Sequence, residues 1–401
     1  MNKDKLREIY NDFEQFIGNV QNTFQMLSIQ ELLKGMNKPN EWSNTQYGNI
    51  NSFQRKLEIV GAKALTQINS KIEDSLIKTY QVSSLDGNYK QEEVSNKMET
   101  IKMISALAIA SLIKDTSRIH FKNVDEINQK YLFDKGTYVT KETQSLYDVI
   151  CDKVAQYGSP ENVPKVIYTD GKKFEWRAYM NMNVRTTLNQ EATSKELESG
   201  KENSIVFYIC SQHSDCAEDH IDYQGKIYYD NAYKSFNLDK ETLDMIDTYI
   251  SSNKLMSIQE VMDGPVYLTT RPNCRHYFAP IPLDEINKSK TTILNELSMN
   301  KGKGDEELYR NTQIQRYNER QIRKWKSERD NALITLNNHP NGVDLSSIKN
   351  RIDTCNLKIN EWQARQRDLV NKHNLERDRG REQVNYLVND LGARTNKYLK
   401  R

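Results

Sequence analysis

The sequence predicts an α+β protein dominated by helix. A helical N-terminal region (1–155) leads into a small central α+β domain (156–285) and a basic C-terminal helical hairpin or coiled coil (286–401). Three observations carry this reading. Proline, which cannot sit in a helix interior without breaking it, is absent between Pro39 and Pro160 and after Pro340, while six prolines fall from Pro160 to Pro282. Apolar residues recur at three- and four-residue spacing in both terminal regions, the period of a helix face. The centre shows short β-branched runs and a hairpin turn pair. With 16 glycines in 401 residues, the chain is too poor in turn formers for an all-β design.

The elements follow in order. Leu6, Tyr10, Phe13, Ile17, Val20, Phe24 and Leu27 make one continuous apolar stripe. A second helix is predicted over Asn51–Tyr80, with Leu57, Val60, Ala64, Ile68 and Ile72 on one side. Lys97–Ile119 is apolar on nearly all sides and reads as a central bundle helix. In the centre, Val163–Trp176 reads as a β-hairpin around Asp170-Gly171, a type I′ pair. A helix then ends near Gly200. Ser204–Cys210, the QGKIYYD run (224–230) and the PVYLTT run (265–270) read as strands. In the tail, Ile314, Trp325 and Leu336 sit eleven apart, as do Ile322 and Leu333, and so share a helix face. Asn337–Gly342 is a turn and Asp344 a predicted N-cap. Leu345, Ile348, Ile352, Cys355, Ile359, Trp362, Gln366 and Leu369 form a heptad seam. A short last helix is expected through Val384, Leu387, Val388 and Leu391, stopping at Gly392.

The net charge of +2 hides an asymmetry. Residues 301–401 hold 22 Lys and Arg against 14 Asp and Glu, a surplus of eight, which leaves −6 for the first 300. The N-terminus is charged and lacks the apolar core of a signal peptide. The greasiest stretch, Ile101–Ile113, contains Lys102 and is shorter than the roughly 20 residues of a membrane span. Five cysteines, an odd number in a large chain, point to free or metal-bound thiols in a reducing compartment.

Chemistry-bearing residues concentrate in Ser211–Asp230 and Arg271–Phe278. His213, Cys216, His220, Cys274 and His276 lie there. Thiolate and imidazole suit zinc, so a structural zinc held between the two loops is one candidate. The Cys-x3-His and Cys-x-His spacings are not those of a standard finger, and hydrogen bonding within ordered loops is the alternative. A cysteine nucleophile with a histidine base is a further reading, although nothing local indicates activation beyond proximity. Arg177 and Arg185, with Thr186-Thr187, lie on the helix after the hairpin, where Arg185 suits a carboxylate anchor or a surface salt bridge. Lys301–Glu307 lacks the Gly-Lys-Ser/Thr ending of a phosphate loop. The basic run Arg316–Arg329 could meet nucleic acid, but acids interleaved at nearly every turn are the pattern of an intrahelical ion-pair ladder.

Several motifs occur in a set order: VRTTLNQ on a helix, His213-x6-His220, Gln224-Gly225, then Asn273-Cys274-Arg275-His276, then the arginine-rich tail. In this the sequence resembles the phage minor capsid proteins of the minor capsid protein 2 type, relatives of the MuF-like head morphogenesis proteins. The resemblance covers about 163–332. It carries the family's motif residues onto Arg185, Thr186, His213, His220, Gln224, Gly225, Asn273, Cys274, Arg275 and His276. Arg271-Pro272 and Cys216-Ala-Glu-Asp219 depart from the family pattern. The resemblance implies a structural, non-enzymatic component of the virion, made in the host cytoplasm and placed inside the capsid near the portal. Its implied partners are portal and capsid or scaffold components, sister copies and packaged DNA, with no membrane. It implies help in head assembly, DNA packaging or ejection. Two other functions stay open: a metal- or cysteine-dependent hydrolase or effector using the His/Cys cluster, and a DNA-binding packaging factor using the basic arm.

Overall fold

The computed structural model describes all residues except 1–2, 86, 137–145, 159–160, 169, 273, 298, 300–301, 303, 340–343 and 385–401. In chain order it comprises α1 (Lys3–Leu32), α2 (Trp42–Gly48), α3 (Ile50–Ser83), α4 (Gln91–Gly136), α5 (Leu146–Ala155), β1 (Lys165–Ile167), β2 (Lys173–Glu175) and α6 (Trp176–Glu202). There follow β3 (Phe207–Cys210), β4 (Ile227–Tyr229), α7 (Lys240–Asn253), α8 (Ile258–Asp263), β5 (Phe278–Ile281), α9 (Lys290–Glu296), α10 (Glu306–Asn337) and α11 (Ser346–His373). The helix-dominated α+β class is therefore correct. No helix among the described residues is long and apolar enough to cross a membrane.

The chain divides into two compact units, each assembled from separate stretches. One comprises residues 1–13, 71–98 and 181–314, the other residues 14–70, 99–180 and 315–401.

The first unit is built around a three-stranded antiparallel sheet of order β4-β3-β5. Phe207 pairs with Tyr229 on one side and Ile281 on the other. Both faces of β3 are covered, which is why Phe207–Cys210 is buried at every position. Phe207 and Ile209 pack with Ile246 of α7 and with Ile293 and Leu294 of α9. Tyr208 and Cys210 pack with Phe278 and with Ile258 and Val261 of α8. Short helices hold these positions through their caps. Asp239 accepts from the Thr242 N–H at the start of α7, and Ser257 and Glu260 form a reciprocal capping box on α8.

The second unit is mostly helical. Ile17, Val20, Phe24 and Leu27 of α1 and Leu57, Ala64 and Ile68 of α3 are buried, as their stripes predict. The Trp42 indole N–H donates to Leu32 O at 3.0 Å and that of Trp176 to Ala108 O at 2.7 Å. In α10 and α11, Tyr317 meets Trp362 edge-on at 5.7 Å and Arg351 pairs with Glu328. As the α10 partner moves up the chain the α11 partner moves down, so the two helices run antiparallel. The α11 seam is buried at Ile348, Cys355, Ile359 and Gln366.

Five expectations are corrected. PVYLTT is not a strand. Tyr267 and Thr269 have positive φ (53° and 69°), and the third strand of the sheet is β5. The run's N–H groups are spent elsewhere, Leu268 on Val261 O and Thr269 on the sulfur of Cys274, so no ladder can form. The β1–β2 hairpin exists, but its connection is not a two-residue type I′ turn. Only Gly171 (φ 81°) is left-handed among its described residues, and Tyr168 N–H reaches Lys172 O. Helix α4 is not apolar-buried all round, since Met103 and Leu107 are 61% and 64% exposed. On α10 the two eleven-residue rows do not share one face, since Ile322 is buried and Ile314 is not. Ile314 is 47% exposed, whereas Asn311, Gln315, Asn318, Glu319 and Ile322 are buried. The N-cap of α11 is Leu345, without a side-chain cap, and not Asp344, which lies one residue earlier and accepts from the Ser346 N–H at 2.9 Å. The turn at 340–343, the expected helix beyond 384 and Asn273 lie outside the described residues.

Candidate functional site

Two loops at one end of the sheet carry the cluster. The first runs from β3 to β4, the second from α8 to β5. Because β3 is flanked by β4 and β5, the residues after β3 and before β5 are brought side by side. Ser211 N–H donates to Tyr277 O at 2.9 Å and Tyr277 N–H to Ser211 Oγ at 3.2 Å, continuing the ladder past the strand ends. Gly225 returns the first loop to the sheet, its N–H on Cys210 O at 3.0 Å. It has φ 65°, and an added Cβ would lie 2.2 Å from Gln212 Nε2. Only glycine meets both demands.

His220, Cys274 and His276 converge. They are 3%, 7% and 2% exposed. His220 Nδ1 lies 3.3 Å from His276 Nδ1, and Cys274 Sγ lies 3.8 Å and 3.4 Å from these two nitrogens. The other ring nitrogens face oxygens: His220 Nε2 is 3.1 Å from Val266 O, and His276 Nε2 is 3.2 Å from Gln224 Oε1. Gln224 is oriented by the His213 backbone N–H, which donates to the same Oε1 at 2.8 Å. The Thr269 N–H donates to Cys274 Sγ at 3.2 Å.

The other motif residues surround this trio. His213 is half-buried, with Nε2 3.0 Å from Ser211 Oγ and 3.1 Å from Arg275 O, and its ring stands edge-on to that of His276 at 4.9 Å. Its ring atoms and the Cys216 sulfur are outside the three-residue group whose donor atoms lie within 4.8 Å of one another. Cys216 is buried beside Gly304, whose added Cβ would meet Sγ at 2.7 Å, and Asp305 N–H donates to Ser214 O at 2.9 Å. The Lys301–Glu307 segment thus lends backbone to the first loop. Arg271 pairs with Asp219 and Arg275 with Asp215, tying loop to loop by charge. Arg185 and Thr186 lie on α6, Arg185 close enough to Tyr10 to interact electrostatically.

Sequence reasoning missed the residues that hold the second loop. Asn189, one turn beyond Arg185, donates to Thr269 O at 3.4 Å and His276 O at 3.3 Å, and Gln190 donates to Thr270 O at 3.0 Å. An Asn-Gln pair on a helix face is the one signal that could have indicated them. Val266 contributes only a backbone carbonyl, which no side-chain pattern reveals.

Burial pushes the Cys274 thiol up and that of Cys216 up to about 11. Both shifts favour the protonated thiol, the reverse of what activates a cysteine nucleophile. On α10 and α11, Arg310, Lys324, Arg351 and Arg365 pair with Glu306, Glu328, Glu328 and Glu361. Within the run Arg316–Arg329, Lys324 and Arg329 pair with Glu328 and Asp330 of the same helix.

A family model described as phage minor capsid protein 2 matches residues 29–371 of the 401. No curated protein and no solved structure matches the chain.

Proposed function

We propose that this chain, which belongs to the phage minor capsid protein 2 family, works inside the phage head beside the portal and assists head assembly, packaging or ejection of DNA. Its structural role in the phage follows from the family. The location and the portal partnership are the further step. The observation that carries the reading is the extent of the match, which takes in most of the helical N-terminal region, the whole central domain and most of the α10–α11 pair. The match is thus to an architecture rather than to one motif. The packing supports it: the polar groups of the two loops are turned to one another and to backbone, as in a scaffold that must hold its shape. The tail's surplus of eight positive charges suits an acidic partner surface or packaged DNA. The three sequence regions are proposed to divide the work, with the centre as the assembly module.

Co-expression with the portal protein of the same phage tests this. The chain is expected to co-sediment with portal rings and to appear in purified heads. A chain that stays at the top of the gradient and is missing from heads overturns the proposal. Deletion of residues 301–401 is expected to weaken the association and reduce its salt dependence, because the basic surplus is lost.

A further inference from the structure

We infer that His220, Cys274 and His276 form a binding site for one zinc ion, with Nδ1, Sγ and Nδ1 as ligand atoms. The spacing is that of a coordination sphere. Zinc lies about 2.0–2.1 Å from nitrogen and about 2.3 Å from sulfur, so a tetrahedron has nitrogen–nitrogen edges of about 3.3 Å and nitrogen–sulfur edges of about 3.6 Å. The corresponding separations are 3.3 Å, 3.4 Å and 3.8 Å.

The protons point the same way. Val266 O only accepts hydrogen bonds. Gln224 Oε1 is fixed as the acceptor by the His213 N–H. Each histidine therefore carries its proton on Nε2, and the two Nδ1 lone pairs face one another at 3.3 Å. The Cys274 sulfur lies within reach of both. A cation satisfies all three groups at once. Its outer shell is already built: carbonyl oxygens orient both imidazoles, and the Thr269 N–H donates to the sulfur that would become thiolate.

The ligand chemistry, two imidazoles and a thiolate, selects a borderline-soft divalent ion over magnesium or calcium. Three protein ligands leave the last tetrahedral position to water. The ion would join two loops whose ligands are 54 residues apart, His220 to Cys274, and so act as a staple. This inference does not rest on the proposed place in the head.

The full-length chain, purified without chelator, is expected to hold one equivalent of zinc by elemental analysis. Chelation should lower its melting temperature, and added zinc should restore it. Cobalt in place of zinc should give the visible bands of a tetrahedral site and a thiolate charge-transfer band. Cys274→Ser should abolish that band, while Cys216→Ser and His213→Ala should keep it. Well under one equivalent after reconstitution with zinc, together with chelator-insensitive melting, overturns the site even if Cys274→Ser fails to fold. A charge-transfer band lost in Cys216→Ser overturns the ligand set. Portal association tested on the same preparations separates this result from the functional proposal.

Discussion

At the scale of single residues, the loops depend on conformations that few side chains permit. Gly225 sits at φ 65° with Gln212 where its Cβ would go. Gly225→Ala is expected to cost about 1–3 kcal/mol from left-handed strain, more if Gln212 cannot move. A melting curve unchanged from the parent would refute this. His120 offers a second test. It is buried against Phe53, with ring centroids 4.4 Å apart. Burial, helped by Lys34 and opposed by the nearby Ser28 backbone, lowers its pKa from 6.5 to about 3. Between these values the unfolded chain binds the extra proton and the folded chain does not, so stability falls as pH falls through that window. His120→Phe should lose less stability on acidification than the parent does. Parallel Tm-against-pH curves for the two proteins would dismiss His120 as the cause.

At the scale of elements, the contrast between α1 and α10 shows which parts of the fold a sequence displays. The α1 stripe was legible because its buried positions are apolar at helical spacing. The buried positions of α10 include Asn311, Gln315, Asn318 and Glu319, and hydrophobic period cannot report a face made of amides and a carboxylate. They are buried because partners are supplied from distant chain, as Gln315 donating to Glu376 O at 2.8 Å shows. Of the apolar residues at eleven-residue spacing, Ile322 lies on the buried face and Ile314 does not. Ile322→Asp should therefore cost several kcal/mol, about 3–5, by burying a charge. Ile314→Asp should stay within about 0.5 kcal/mol. Equal losses in denaturant titrations would mean that the faces are misassigned. The site was half legible for a related reason. Histidine and cysteine stand out in any sequence, so both loops were visible. Asn189, Val266 and Thr269 act through an amide and the backbone, and PVYLTT has a strand-like composition although its N–H groups are used by Val261 and a sulfur.

At the scale of the molecule, charge matters through its distribution. Glu319 is buried among Arg381, Arg323, Glu14 and Arg316, and burial outweighs the arginines, raising its pKa from 4.5 to about 7. Here the folded chain holds the extra proton between the two values, so stability falls as pH rises across them. The effect opposes that of His120, and between about pH 4.5 and 6.5 the two overlap. Glu319→Gln should remove the loss on the neutral side and leave the acid side as it is. A Glu319→Gln curve that keeps the parent's slope from pH 5 to 7 would count against this account. Both effects arise in the same compact unit, whose segments come from the start, middle and end of the chain. A unit assembled in this way cannot be read as a run of residues, and this organisation of the molecule was invisible to a pass along the sequence.

The separation between His220 and Cys274 also bears on when the loop pair can close. A ribosome makes His220 first and must add 54 more residues before Cys274 exists. Until then Gln224 has no His276 to hold, and β3 has β4 on one side but no β5 on the other. The first loop is a buckle made before its tongue. Any product that stops short of residue 276 keeps the buckle open, with the sheet edge of β3 exposed to stray pairing. Closure of this clasp therefore marks a chain whose central fold has been completely synthesised. Only such a chain would present finished loops to a partner.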